Sequence, residues 1–137
     1  MRGTIDHLDL TVRDPWSSRA FYEAVFGFLG YRFKKEVERG LIWELLDEAE
    51  RAVCSIAVMR ASEEGRIHRH DRYAPGLHHL AWRARSRADV DALYALLRRL
   101  GATILDPPAD YPQYEPGYYA VFFADPDGLK LEFVHVP

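Results

Sequence analysis

A chain of 137 residues, 48% hydrophobic and 28% charged, can bury one core and leaves little room for a second domain. A net charge of −3, with basic residues interleaved among acids, lacks the stripe that nucleic-acid or membrane-surface partners require. One cysteine, Cys54, rules out an intrachain disulfide framework and speaks against a thiolate zinc site. No apolar stretch reaches the length of a signal-peptide core or a membrane span, so a cytoplasmic location is expected.

Residues 5–13 alternate: Leu8, Leu10 and Val12 share one face, and His7, Asp9 and Thr11 share the other. Asp14-Pro15 ends this strand, with Asp14 as a cap and Pro15 in the first turn of a helix. Phe21, Tyr22, Val25, Phe26 and Leu29 supply that helix's apolar stripe, and Gly30 closes it. Three short strands are then predicted, over about residues 31–37, 41–47 and 52–60, separated by polar turns. Residues 61–76 are polar and irregular and form the one candidate linker.

A second opening strand is predicted over residues 77–85. Ser86 caps a helix, with Asp89 in the capping-box position and Val90, Leu93, Tyr94, Leu97 and Leu100 as its stripe. Residues 102–105 read as a strand, and the Pro- and Tyr-rich stretch 106–117 as a loop. Residues 118–124 and 129–136 form a hairpin across Asp125-Pro126-Asp127-Gly128. Placing His7 on His79, a shift of 72 residues (79 − 7), aligns Leu8 with Leu80, Tyr22 with Tyr94 and Val25 with Leu97. Strand, helix and three strands thus occur twice.

Alternation decides which side chains leave the core. His7 points away from its helix, and so does His79, with His78 on the helix side. Leu131 and Phe133 form the apolar face of the last strand, so Glu132 points away as well. If the repeats pair by their symmetry, His7, His79 and Glu132 share one concavity. Two imidazoles and a carboxylate suit Fe, Mn, Ni or Zn with open positions for a substrate. Each residue alone reads as an ordinary structural His or solvated Glu; matching positions in a repeat favour ligation. His68-Arg69-His70 lies in the polar loop and is read as surface, and His135 as structural. Tyr111, Tyr114, Tyr118 and Tyr119 line a pocket or pack an interface.

The segment Gly76-Leu77-His78-His79-Leu80-Ala81-Trp82 resembles the second metal-histidine strand of the vicinal-oxygen-chelate superfamily of glyoxalases, bleomycin-resistance proteins and extradiol dioxygenases. Phe123 to Glu132, reading FADPDGLKLE, is similar to its C-terminal signature, and Ile5-Asp6-His7-Leu8 to its first-ligand strand. The resemblance spans nearly the whole chain. It implies an α+β fold, with two βαβββ repeats (about 1–60 and 77–137) forming a cupped mixed sheet in one domain, residues 1–137, joined by the loop 61–76. It also implies one divalent metal on His7, His79 and Glu132. The fourth family ligand position falls near Ala57, which cannot ligate; Glu44 would serve only under a different register. This departure weakens a simple glyoxalase or epimerase assignment. The expected function is a metal-dependent enzyme of lyase, dioxygenase or thiol/water-addition type, acting on a small molecule that chelates through adjacent oxygens. The alternative is a metal-independent binding dimer of the bleomycin-resistance type. A homodimer is expected in either case, with no nucleic-acid or membrane partner.

Overall fold

The computed structural model describes residues 2–137, which divide into two compact units, 2–68 and 69–137. The first contains β1 (His7–Val12), α1 (Arg19–Leu29), β2 (Arg32–Val37), β3 (Gly40–Leu46) and β4 (Ala52–Arg60), followed by a single 3₁₀ turn at Gly65–Ile67. The second contains β5 (Leu80–Arg83), α2 (Arg87–Arg99), β6 (Thr103–Asp110), β7 (Tyr119–Ala124) and β8 (Lys130–His135). The strand orders are β1-β4-β3-β2 and β5-β8-β7-β6, so each unit is a four-stranded mixed sheet of the same βαβββ topology.

In the first unit the alternation of β1 holds: Leu10 and Val12 are buried and His7, Asp9 and Thr11 are exposed. Helix α1 lays Phe21, Tyr22, Val25 and Phe26 onto the sheet. Phe26 meets Trp43 edge-on at 5.2 Å between ring centroids, and Phe33 meets the same indole at 5.5 Å. Trp43, Leu41, Ile56 and Val58 complete the core. The helix starts later than its sequence implies. Asp14 does not cap it: the carboxylate accepts from Trp16 N at 3.0 Å and Ser17 Oγ at 2.8 Å, organising the turn before Arg19.

The second unit packs Val90, Leu93 and Leu97 of α2 onto Val121, Phe123 and Leu131 of its sheet. Ser86 caps α2 as expected, accepting from Asp89 N at 3.1 Å, while the Asp89 carboxylate accepts from Arg85 N at 3.1 Å. The stretch from Asp106 to Asp110, expected as loop, belongs to β6. Its pairing with β7 shifts register between Ile104 and Asp106 and again between Asp106 and Ala109. Pro107 and Pro108 fall within the second shift, on the strand that ends the order β5-β8-β7-β6. A missing N–H is tolerated at a bulge or sheet edge, which is why two prolines do not stop this strand.

The internal repeat has a structural counterpart in the strand register. In the first unit Asp9 of β1 lies beside Ala57 of β4; in the second, Ala81 of β5 lies beside Glu132 of β8. The 72-residue shift takes position 9 to position 81. Ala57 therefore occupies in its unit the place that Glu132 occupies in the other.

Candidate functional site

Glu132 is the informative residue. It is only 1% exposed, although it is a carboxylate in the middle of a strand. An ionised carboxylate placed there needs partners, because burial removes its water. Two are present. His79 Nε2 lies 3.0 Å from Glu132 Oε2, and the Tyr118 hydroxyl donates to Glu132 Oε1. Each oxygen has its own neighbour.

The positions of these three residues follow from local folding. The tight turn at residues 125–128 is held by Asp125 Oδ1, which accepts from Asp127 N at 3.0 Å and Leu129 N at 2.7 Å. That turn places Phe122 directly opposite Glu132, while Leu131 and Phe133 fill the other, apolar face of the strand. Tyr118 ends the connection from β6. It is fixed by Tyr111 N donating to Tyr118 O at 2.8 Å and by Tyr118 N donating to Glu115 O at 3.1 Å. At the preceding residue, Gly117 has φ +81°, and a Cβ there would stand 2.5 Å from Pro137 Cγ. Glycine is required at that point on both counts.

His78 and His79 precede β5, which begins at Leu80 rather than at Leu77. His78 consequently does not face the helix. Neighbouring side chains on a strand point to opposite sides, but outside the strand these two rings meet, with Nδ1 atoms 2.7 Å apart. Burial and the nearby His79, Lys130, Arg72 and His70 push the His78 imidazole below its ordinary pKa. A neutral His78 can accept the Nδ1–H of His79; Nε2 of His79 then donates to Glu132 when it also carries a proton, and offers a lone pair to a metal when it does not.

An aromatic group surrounds the carboxylate. Tyr111 and Tyr114 stack at 5.7 Å, Tyr114 meets Tyr118 at 5.3 Å, and Tyr111 stands edge-on to Phe122 at 5.3 Å. Burial, first, and the bond to Glu132 raise the Tyr118 phenol well above the ordinary tyrosine range; burial and Asp106 raise Tyr111. Tyr118 is therefore a protonated donor. Tyr119 stands apart from this group: its hydroxyl donates to Asp91 at 2.6 Å, and the Arg87 guanidinium lies 3.9 Å from its ring centroid.

His7 belongs to the first unit. It is exposed, and its Nδ1 lies 2.8 Å from Asp6 Oδ2, a contact that raises the imidazole pKa, with Asp9 adding to the effect. Glu44 is engaged by Lys34 at 2.7 Å. His70 Nε2 and His135 Nδ1 are buried without a hydrogen-bond partner. Among the described residues no three His, Cys, Asp or Glu side chains gather into a group that could hold a metal. The His79–Glu132 pair nevertheless has the right donors and spacing for two positions of such a group. Ligand atoms about 2.1 Å from one ion and at right angles around it stand about 3.0 Å apart. The sequence singled out His79 and Glu132 but not the Tyr118–Glu132 bond. The signal for it was the turn at Asp125, which sets Phe122 opposite Glu132 and leaves Tyr118 on the same face of that strand.

Residues 4–133 match the family model described as Glyoxalase/Bleomycin resistance protein/Dioxygenase superfamily. An uncharacterised Bacillus subtilis (strain 168) protein, YqjT, is 30% identical over 133 residues, covering 93% of this chain and 95% of that one. The crystal structure of a proposed glyoxalase from Bacillus halodurans superposes with a TM-score of 0.80 at 28% identity, over 98% of this chain and 97% of that one. The fosfomycin resistance protein FosX of Listeria monocytogenes shares the fold, with a TM-score of 0.71 at 19% identity, over 100% of this chain and 96% of the other.

Proposed function

The chain belongs to the glyoxalase/bleomycin resistance protein/dioxygenase superfamily, and from that premise we propose that it is a divalent-metal-dependent enzyme acting on a small molecule with two adjacent oxygens. The observation that carries this reading is the buried Glu132, held between the His79 imidazole and the Tyr118 phenol. Burying a carboxylate among partly satisfied polar groups costs stability and is retained where the group has work to do.

In this reading His79 and Glu132 are two metal donors and His7 is the third. A bound divalent ion would supply Lewis acidity toward the chelating oxygens of the substrate, or a site for oxygen chemistry. His78 holds His79 in the tautomer whose Nε2 is available. Tyr118 keeps one carboxylate oxygen of Glu132 occupied. Tyr111, Tyr114 and Phe122 exclude water from that side and offer an apolar wall to the substrate. The two units form one domain, residues 1–137, and the working protein is a homodimer in the cytoplasm.

A second reading, metal-free binding of a small molecule by a dimer, is favoured by one observation: the stack of half-buried Tyr111 on exposed Tyr114 resembles a ligand platform as much as a pocket wall. Elemental analysis after oxygen-free purification, beside the His79→Ala variant, separates the two. Near-stoichiometric metal in the parent, lost in the variant and in His7→Ala, is expected. A parent that takes up none of Fe, Mn, Ni or Zn overturns the enzyme reading and leaves the binding dimer. Iron would direct the search toward oxygen chemistry, and manganese, nickel or zinc toward Lewis-acid chemistry.

A further inference from the structure

We propose that Tyr118 is a positioning residue that restricts Glu132 to offering a single oxygen to a metal ion. The inference rests on the metal-dependent reading above and goes beyond it. It assigns a function to a phenol, and it fixes the denticity of a ligand.

The geometry is specific to the two carboxylate oxygens. Oε1 of Glu132 receives the Tyr118 hydroxyl, while Oε2 faces His79 Nε2 at 3.0 Å. A carboxylate can bind a metal through one oxygen or through both. Here Oε1 is engaged by the Tyr118 hydroxyl, and only Oε2 lies beside the other proposed ligand. One-oxygen binding leaves more of the coordination sphere open to a chelating substrate than two-oxygen binding does.

Tyr118 is held well enough to impose this choice. Its backbone is tied at both ends of the connection, by Tyr111 N to Tyr118 O and by Tyr118 N to Glu115 O. Its ring is contacted by Tyr114 at 5.3 Å and by Tyr111 at 6.3 Å. Gly117, pressed against Pro137, sets the chain direction immediately before it. A partner fixed in this way orients its ligand rather than following it. The first unit offers a contrast, since Ala57 stands at the matching register position and has no carboxylate to orient.

The test is an oxygen-free titration of the full chain with Co(II), followed by its visible absorption, for the parent, Tyr118→Phe and Tyr114→Phe. Tyr118→Phe should bind Co(II) about 10- to 100-fold more weakly, the usual effect of losing an outer hydrogen bond to a ligand. Its d–d bands should also change in position and intensity as the freed Oε1 approaches the ion. Tyr114→Phe, altered in the same aromatic group but not bonded to Glu132, should match the parent in both. X-ray absorption on the Co(II)-loaded parent supplies a measurement independent of any variant: a two-oxygen carboxylate there overturns the proposal. So does a Tyr118→Phe protein with the parent's affinity and spectrum. If the parent itself binds no Co(II), the metal-dependent reading falls and takes this inference with it. If the parent binds and only the Tyr118 effect is missing, the inference alone falls.

Discussion

The two units share one topology and one register but differ in what stands at the matching place. The second buries a carboxylate at Glu132 and surrounds it with an imidazole, a phenol and a stack of tyrosines. The first places Ala57 there, opposite Ile42, and concentrates its aromatics in the core around Trp43. The same scaffold thus supports a polar site in one copy and an apolar core in the other. The topology supplies positions; the side chains at two or three of them decide whether a unit carries chemistry.

The sharpest way to break this comparison is to remove what the first unit has instead of a site. Trp43 is 1% exposed and touches both Phe26 and Phe33. Trp43→Ala should cost about 3–5 kcal/mol of stability, read by urea unfolding. Transferring the carboxylate is the next test. Ala57→Glu places an acid at the equivalent, 7% exposed position, where the first unit has no counterpart of the Tyr118 phenol. It should cost about 3 kcal/mol near pH 7. A neutral-pH stability equal to the parent's would mean that the first unit can satisfy a buried acid after all, and that the difference between the units is smaller than their residues imply.

The smallest effect concerns the turn between β3 and β4, where Asp47 makes the same backbone contacts as Asp125 in the second unit and in addition takes the Arg51 guanidinium. Asp47 accepts from Arg51 N at 3.0 Å, Arg51 Nε at 2.9 Å and Ala49 N at 2.9 Å, which holds its carboxylate below the usual range. A depressed folded-state pKa contributes stability that is fully present above the unfolded value and is lost as pH falls through the folded one. Asp47→Asn should therefore reduce stability slightly near pH 7 and leave it close to the parent's in strong acid. Paired denaturation curves at the two pH values check this.

Much of this was legible in the sequence because period-two alternation and the 72-residue repeat are both local signals. Alternation placed Glu132 away from the apolar face; Ala57 came from the family resemblance, and the strand register makes it the counterpart of Glu132. Three features were not legible. The β6 segment through Pro107 and Pro108 violates strand propensity, and only its edge position and register shifts allow it. The His78–His79 contact depends on where β5 starts, which alternation cannot fix when a strand is only four residues long. The Tyr118–Glu132 bond joins residues 14 apart: parity puts both on one face, but their meeting also requires the tyrosine connection to fold back over the sheet, a tertiary outcome.

The parallel pairing of first and last strands also sets an order of assembly. β1 finds its place only beside β4, with His7 against Ser55, and β5 only beside β8, with Leu80 against Leu131. Each sheet thus closes across about 50 residues, the kind of long-range contact that slows folding. On the ribosome the first unit can close while the second is still being made, but the second cannot close until its final strand emerges. Glu132 lies on that strand, so a nascent chain carries His79 and Tyr118 for some time before the acid that joins them exists.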